Sequence, residues 1–315
     1  MNQTMASPSP RAWTISRLSL SFTLDQVAAG LAGLSPLDAL LVLAVNQANI
    51  APLTRDPAAR QAYGALANAA PDKARRPASV NAMANSLGIP FETTRRRLKR
   101  LEAAGVCTIA PGAGVVVPES FLTSPAYMLS VMAAHERLVG FYGRMLDGDL
   151  LDPLPATSYD VDEGVPLRGA ARLIADYLLR AIEGLMRESG DAVTAITLLA
   201  VLVAALDEAP WPPEADWALT TVPFRSTSVA QVSRRLGLPN ETVRRHITLL
   251  IEAGLCRKTA EGVSVARDIL TRPPIQAMVE DHAHAVQRLF AGLAERGVVA
   301  AWEQMGAGAA PRRRA

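Results

Sequence analysis

The 315-residue chain contains little cysteine, little lysine and no uninterrupted hydrophobic run long enough to cross a bilayer. Two cysteines are too few for a disulfide framework. The longest nearly apolar run, residues 192–206, has 15 residues between two aspartates and indicates a buried core helix. The first twenty residues lack the pattern of a secretory signal. We therefore expect a cytoplasmic protein that does not associate with membranes.

The sequence also lacks the residue groupings that catalysis and metal binding use. It has four histidines and no cluster of cysteine and histidine with the spacing of metal ligands. We find no phosphate-binding loop, no nucleophile elbow and no pair of catalytic carboxylates. The sequence therefore predicts no enzymatic activity, no metal site and no cofactor.

The charge of the chain is almost balanced. Half of the residues are hydrophobic and a fifth are charged, which is typical of a folded globular protein. The net charge is only +2, so a nucleic-acid surface would have to come from local clustering of basic residues. Arginine outnumbers lysine by 29 to 3, a bias that a GC-rich genome explains more simply than phosphate binding does.

The chain contains an internal repeat. Residues 79–107 (SVNAMANSLGIPFETTRRRLKRLEAAGVC) align with residues 228–256 (SVAQVSRRLGLPNETVRRHITLLIEAGLC), and 13 of 29 positions are identical. The two cysteines, Cys107 and Cys256, fall at the same position of the repeat, which favours small buried side chains over a redox switch. The chain is therefore predicted to hold two copies of one module.

Each copy predicts the same order of local structure. Ser79 and Ser228 are suitable N-caps for a short helix. Gly88 and Gly237 end that helix, since the following turn favours a residue that tolerates positive φ. A proline then begins a second helix, and two short β-rich runs after it predict a hairpin.

The second helix of each copy has an apolar stripe. Thr94, Leu98 and Leu101 recur at the spacing of one helix face, as do the equivalent residues of the second copy. In the first copy the basic residues follow one another in sequence, but the apolar stripe occupies one face of the helix and leaves them on the other side. The opposite face carries Glu92, Thr93, Arg96, Lys99 and Arg100, with Arg95 and Arg97 at its borders.

Both copies share the pattern Ser-x7-Leu-Gly-[Ile/Leu]-Pro-x-Glu-Thr-x-Arg-Arg, followed by Leu-x2-Ala-Gly-[Val/Leu] and a hairpin. This pattern resembles the winged helix-turn-helix domain of bacterial transcriptional regulators of the MarR and GntR type. The resemblance covers about 40 residues in each half, around 79–118 and 228–267. It implies that residues 90–105 and 239–254 are recognition helices for the DNA major groove and that the hairpins are wings. The flanking helices carry no such resemblance.

On this interpretation the exposed faces of both second helices and the second wing contact DNA. Arg96 and Arg245 are candidates for bidentate contact with guanine. Glu92 and Glu241 either accept a hydrogen bond from cytosine or stabilise the helix N-terminus. The full set of predicted DNA-binding residues is Glu92, Thr93, Arg95, Arg96, Arg97, Lys99, Arg100, Asn240, Glu241, Thr242, Arg244, Arg245, His246, Thr248, Arg257 and Lys258.

The two copies differ at positions that matter for DNA binding. Lys-Arg at 99–100 is replaced by Thr-Leu at 248–249, so the second helix is more apolar. The second hairpin carries Arg257 and Lys258, whereas the first has no basic residue. Either the copies read different half-sites, or the second has partly turned towards protein contact.

The predicted fold is mainly α-helical, with small hairpin wings, as two tandem winged helix-turn-helix modules joined by long flanking helices. Apolar or amphipathic helices are expected at about 13–32, 36–50, 125–146, 167–189, 191–207 and 272–296. The predicted divisions are a disordered N-terminus (1–12), the first module (13–147), an acidic, proline-containing linker (148–165), the second module (166–298) and a tail with a basic end (299–315).

The sequence supports two hypotheses of function. The first is a sequence-specific transcriptional regulator of double-stranded DNA, associated with the nucleoid. The alternative is an adaptor that uses winged helices to bind proteins, with one or both DNA-reading surfaces degenerate. The flanking helices are candidates for pairing the two modules within one chain or for forming a homodimer. The sequence predicts no particular small-molecule effector.

Overall fold

A computed structural model describes residues 7–110, 112–157, 159, 164–207, 224–266 and 268–306. These residues are mainly helical and include two small antiparallel sheets, which confirms the predicted fold class at this level. The helices are α1 Pro10–Ala29, α2 Pro36–Arg55, α3 Pro57–Ala62, α4 Val80–Ser86, α5 Phe91–Ala103, α6 Glu119–Leu122, α7 Pro125–Asp147, α8 Leu167–Ser189, α9 Ala192–Leu206, α10 Val229–Leu236, α11 Asn240–Glu252, α12 Pro273–Glu295 and α13 Val298–Gln304. The strands are β1 Thr108–Ala110, β2 Gly114–Val116, β3 Cys256–Thr259 and β4 Gly262–Val265.

The chain divides into two compact units, each with one copy of the repeat. The first-repeat unit comprises residues 29–180 and 287–315, and the second-repeat unit comprises residues 1–28 and 181–286. This division differs from the predicted one, in which each module was continuous in sequence. The segment 13–28, predicted in the first module, belongs with the second repeat, and the segments 166–180 and 287–298, predicted in the second module, belong with the first.

Aromatic packing holds the C-terminal segment in the first-repeat unit. The ring of Phe290 lies 5.5 Å from that of Phe141 and 5.3 Å from that of Tyr142. Trp302 is fully buried, and its Nε1 donates to Nε2 of His135 at 2.8 Å. The predicted tail 299–315 is therefore wrong over its first residues, because they form α13, whose Trp302 contacts His135 and Tyr142 of α7. The basic end of that tail lies outside the described residues.

Polar contacts and apolar burial hold α1 in the second-repeat unit. The backbone N–H of Ser9 donates to Oε1 of Glu280 at 3.2 Å, and Nη2 of Arg17 donates to the carbonyl of Asp207 at 2.9 Å. Asp25 forms an ion pair with Arg235 of α10. Trp13, Phe22 and Leu24 are among the buried residues of α1. The predicted disorder of residues 1–12 is wrong from Pro10 onwards, since the helix begins there, and residues 1–6 lie outside the described residues.

The described part of the predicted linker is fixed to α12 within the first-repeat unit. The N–H of Asp152 donates to Oε1 of Gln287 at 3.0 Å, and Nε2 of Gln287 donates to the Asp152 carbonyl at 3.3 Å. Residues 151–157 form no helix or strand. Of the predicted linker, residues 158 and 160–163 lie outside the described residues.

The two repeats fold in the same local order. The hydroxyl oxygens of Ser79 and Ser228 accept from the backbone of α4 and α10, as predicted for N-caps. Gly88 and Gly237 both have φ of +61°, a conformation that L side chains rarely adopt. An antiparallel hairpin, β1–β2 or β3–β4, then follows α5 or α11.

In each repeat, one residue before the short helix forms an antiparallel β-bridge with the second strand of the hairpin. Ala78 bridges Val115 of β2, and Thr227 bridges Val263 of β4. The chains come so close that a Cβ on Gly114 would lie 2.5 Å from the Ala78 carbonyl oxygen. The β-sheet contact therefore ties the start of α4 and of α10 to the hairpin, and the sequence did not predict this contact.

Among the described residues, α2 is long and apolar enough to cross a membrane. Its most apolar window has a mean hydropathy of 1.3, and 56% of that window is buried within the protein. Core helices of soluble proteins meet the same criterion. In this chain α2 supplies the core of the first-repeat unit, with Leu40, Leu41 and Ile50 almost fully buried.

A buried asparagine joins α2 to the hairpin of the first-repeat unit. Nδ2 of Asn49 donates to the carbonyls of Arg76 at 2.7 Å and Val115 at 3.0 Å. Its Oδ1 accepts from the N–H of Val117 at 2.9 Å, and the residue is fully buried. All the hydrogen-bonding groups of this amide are therefore satisfied by backbone of the hairpin and of the segment before α4.

We expect Asn49→Ala to lower the free energy of unfolding by about 2 kcal/mol, because it leaves the buried N–H of Val117 unpaired and removes a partner from the Arg76 carbonyl, while the Val115 carbonyl keeps the N–H of Ala78. Urea unfolding followed by circular dichroism measures the change. Asn81→Ala, at an exposed position of α4, is the matched control and should change stability by about 0.5 kcal/mol or less. Equal stabilities of the two variants would show that the Asn49 network contributes little.

Candidate nucleic-acid interface

Helix α5 buries its apolar stripe and exposes its basic residues. Thr94, Leu98 and Leu101 are buried in the first-repeat unit, as the spacing predicted. Glu92, Arg95, Arg96, Lys99 and Arg100 are exposed, while Thr93 and Arg97 are half-buried. The burial of the stripe leaves the basic residues on the surface of one short helix.

Three of the basic residues on α5 have acidic partners within the protein. Arg95 pairs with Glu92 one turn away at 2.9 Å. Arg97 pairs with Asp38 in the first turn of α2 at 2.7 Å, and Arg100 approaches the same carboxylate at 3.6 Å. An exposed pair such as Arg95 with Glu92 contributes little to stability, so a phosphate group can replace the carboxylate at small cost.

The remaining two basic residues of α5 have no acidic partner. Within the described ranges, Arg96 and Lys99 form no ion pair and no side-chain hydrogen bond, and both are exposed. Their charges are therefore not neutralised by the described part of the protein. The residue predicted to contact guanine, Arg96, is available for such a contact.

Helix α11 has a similar face in the second-repeat unit. Val243, Ile247 and Leu250 form the buried stripe, and α11 packs with this stripe on α9 and α10. Arg244 pairs with Glu241 one turn away at 2.8 Å. The exposed predicted residues are Asn240, Glu241, Arg244, Arg245 and Thr248, and Thr242 is half-buried. Thr248 donates its hydroxyl to the Arg244 carbonyl at 3.1 Å.

His246 does not belong to the exposed face, so its prediction as a DNA-contacting residue is wrong. Its side chain is buried, and Nδ1 lies 2.7 Å from Oγ1 of Thr194 in α9. The Thr194 hydroxyl donates to the carboxylate of Asp191, so it accepts from Nδ1 of His246. Nε2 is then an acceptor for Nη2 of Arg245 at 3.3 Å.

The protonation state of His246 supports this arrangement. Burial lowers the pKa of His246; the carboxylate of Asp191 opposes this shift, and the charge of Arg245 adds to it. The ring is therefore neutral at neutral pH, with a lone pair on Nε2 for Arg245. His246 accepts a hydrogen bond from the guanidinium of Arg245, and its buried ring is not accessible to DNA.

Positions 97 and 246 are equivalent in the repeat, and each is tied to the start of the long helix that precedes it. Arg97 is bound to Asp38, and His246 is linked through Thr194 to Asp191, the N-cap of α9. Aspartates at helix starts are visible in the sequence, but their partners lie more than 50 residues away. These two contacts therefore could not be predicted from the sequence.

The hairpins differ as the sequence predicted. In the second hairpin Lys258 is exposed, whereas Arg257 is half-buried and its Nε has no hydrogen-bond partner among the described residues. The described residues of the first hairpin include no basic side chain. Cys107 and Cys256 are free and buried, and burial raises the pKa of each thiol to about 12. Both thiols are protonated at neutral pH.

Over the described part of the chain, no group of three or more histidine, cysteine, aspartate and glutamate side chains is arranged to hold a metal ion. No protein-family model matches the chain. Comparison with curated proteins and with solved structures found no significant match. The functional proposal therefore depends on the side chains and contacts of this chain alone.

We expect Arg96→Ala to weaken binding to a specific DNA site by about 1–3 kcal/mol and to relax the preference at one base pair. The reason is the loss of an exposed, unpaired guanidinium from α5. Binding titrations against the selected site and its single-base variants measure both effects. Arg144→Ala removes an exposed arginine of α7 in the same unit and should leave affinity unchanged. A folded Arg96→Ala variant with unaltered affinity and preference would contradict the assignment.

Lys99→Ala should weaken binding to every DNA sequence, because a lysine ammonium acts on phosphate as a point charge. The slope of log K against log salt should fall by about one unit if one phosphate contact is lost. Arg100→Ala should have a smaller effect, since Asp38 partly neutralises that guanidinium. Titrations at several salt concentrations test this order, and loss of binding to only one sequence would instead assign Lys99 to base reading.

Proposed function

We propose that each repeat is a winged helix-turn-helix module and that the protein is a sequence-specific, double-stranded DNA-binding transcriptional regulator. In this proposal α4–α5 and α10–α11 are the helix-turn-helix pairs, and β1–β2 and β3–β4 are the wings. The observation that carries the proposal is the exposure of Arg96 and Lys99, on the face of α5 opposite its buried stripe, with no ion pair to any residue that the structure describes.

The electrostatics of α5 favour a polyanionic partner. Five basic residues lie within six positions of a 13-residue helix, and among the described residues their acidic partners are Glu92 and Asp38. A helix of this width fits the DNA major groove, where arginine recognises guanine and neighbouring cations bind phosphate. Because the net charge of the chain is only +2, this local cluster and not the whole protein supplies the attraction.

The second repeat is proposed to read a second half-site. Arg245 is exposed and is oriented by its hydrogen bond to buried His246. Lys258 adds an exposed charge on the hairpin, at a position where the first repeat has none. These residues compensate in part for the replacement of Lys-Arg by Thr-Leu on α11. One chain would then contact two related half-sites, as two subunits of a dimeric regulator do.

A protein-binding adaptor is the second candidate, and one observation on α11 favours it. Leu249 is 43% exposed in place of a basic residue, and it lies beside Thr248 on the same surface. An exposed leucine on a proposed reading helix suits contact with a protein better than contact with phosphate. The two functions can also be divided between the repeats, so that α5 binds DNA and α11 binds a partner protein.

The repeat predicts an operator with two related, non-identical half-sites spaced near a multiple of about 10–10.5 base pairs. Footprinting on one such operator should show that Arg95→Ala/Arg96→Ala and Arg244→Ala/Arg245→Ala each remove protection over a different half-site. We expect the first repeat to contribute more of the affinity, because α5 also carries the exposed Lys99, which Thr248 replaces on α11.

The same footprints separate the two candidate functions. If only the Arg95/Arg96 variant loses protection, the second repeat does not bind DNA, and the adaptor function applies to α11. Undiminished protection with both folded variants would mean that neither helix reads DNA.

A further inference from the structure

The first-repeat unit contains a pocket that the proposed DNA-binding face does not use. Its volume is about 360 Å³. It is lined by α3 and the turn that follows, by the segment that leads into α8, and by the residues directly after α12. The polar side chains among its described lining residues are Arg60, Gln61, Asn68, Tyr159 and Arg296.

Two guanidinium groups face this pocket without a matching carboxylate in its described lining. Arg60 and Arg296 both line it, and their lining neighbours are amides, a phenol, a proline and small residues. Nε of Arg60 is buried and has no hydrogen-bond partner in the part of the chain that the structure describes. Burying part of a charged group without its full set of partners is unfavourable, and an anion close to the guanidinium of Arg60 would offset that cost through its charge.

The two arginines are close enough to repel one another. Burial lowers the pKa of Arg296, and the charge of Arg60 lowers it further, while Tyr159 and Glu295 oppose the shift. Nη1 of Arg296 donates to the Gly292 carbonyl at 2.7 Å, which fixes the side chain and leaves its other N–H donors for a further acceptor.

Three further arginines of the first-repeat unit, outside the described pocket lining, interact electrostatically with one another. Burial lowers the pKa of Arg172 to about 10, an effect that Tyr127 opposes and that the charges of Arg168, Arg75 and Arg296 reinforce. Four arginines of the first-repeat unit therefore act on one another through space. The ion pair of Arg75 with Asp72 at 3.7 Å offsets part of this charge, so the anion site depends on the two lining arginines, Arg60 and Arg296.

We propose that this pocket binds a small organic anion whose carboxylate or phosphate lies between Arg60 and Arg296. Guanidinium groups recognise both anions through paired N–H donors. Gln61, Asn68 and Tyr159 can hydrogen-bond the polar groups of the ligand body. The volume lies at the lower end of the range for small-molecule sites, which excludes a ligand as large as a dinucleotide.

The test is calorimetric titration of the full-length protein, without DNA, in chloride buffer at constant ionic strength. The probes are inorganic phosphate, succinate and benzoate. We expect saturable binding of one molecule per chain for phosphate or for a carboxylate, and the three probes distinguish these two chemistries. Arg60→Gln should weaken the binding roughly tenfold or more, since a charge-assisted hydrogen bond is lost.

Two further variants keep the test decisive. Arg144→Gln, on α7 and outside the pocket lining, should bind the anion as the wild-type protein does. If Arg144→Gln and Arg60→Gln lose the same amount of anion affinity, the proposal is wrong.

Between the lining residues Tyr159 and Gly164 the sequence reads DVDE. If the variant Asp160→Asn/Asp162→Asn/Glu163→Gln binds an anion that the wild-type protein does not bind, the two arginines pair with these carboxylates and the proposal is wrong. Absence of saturable binding for all three probes at millimolar concentration would also overturn it. Neither result bears on DNA binding, which is measured separately.

Discussion

Burial of the apolar stripe on α5 and on α11 is the constraint on which the rest of the proposed interface depends. Each stripe occupies one side of a 13-residue helix and has to be removed from water. Once it is buried, the helix can rotate very little, so the side chains on the opposite side are committed to the surface. The exposure of Arg96 and Lys99, and of Arg245 in the second repeat, is a consequence of where Leu98 and Ile247 lie.

The same constraint explains why positions 97 and 246 differ from their neighbours. Each lies three residues after the first stripe residue and four before the last, so it sits at the edge of the buried side. The protein meets the cost of a polar group there by placing a carboxylate nearby, Asp38 for Arg97 and Asp191, through Thr194, for His246. In the second repeat this arrangement also orients Arg245.

Local features of the fold could be predicted from the sequence because local chemistry determines them. Serine caps, glycines with positive φ and the i, i+4, i+7 stripe place α4, α5, α10 and α11, and the repeat gives each prediction twice. The spacing also held the information that His246 is buried, since it falls between Val243 and Leu250 on the stripe side. The abundance of basic neighbours led to its wrong assignment to the exposed face.

Contacts between distant parts of the chain could not be predicted in this way. Nothing local in α1 indicates that Asp25 pairs with Arg235, and nothing in the last residues indicates that Trp302 is buried against His135. The grouping of α1 with the second repeat, and of α13 with the first, therefore had to come from the structure. The pocket lined by Arg60 and Arg296 has the same origin, because its lining joins segments more than 200 residues apart.

The two repeats are alike in their cores and different in their surfaces. Both bury a cysteine at the start of the hairpin, and both close the hairpin against a residue before the first helix. Their exposed faces differ in charge, with an unpaired Lys99 in one and an exposed Leu249 in the other. A shared core with divergent surfaces is expected if both modules keep the fold while each recognises its own partner.

The most direct test of the central claim is selection of duplex DNA from a random library by the purified full-length protein, followed by sequencing. We expect enrichment of a defined motif by the wild-type protein, and loss of that enrichment in the Arg95→Ala/Arg96→Ala variant at equal folded concentration. A wild-type selection that remains random in sequence, or a variant that enriches the same motif equally well, would contradict it.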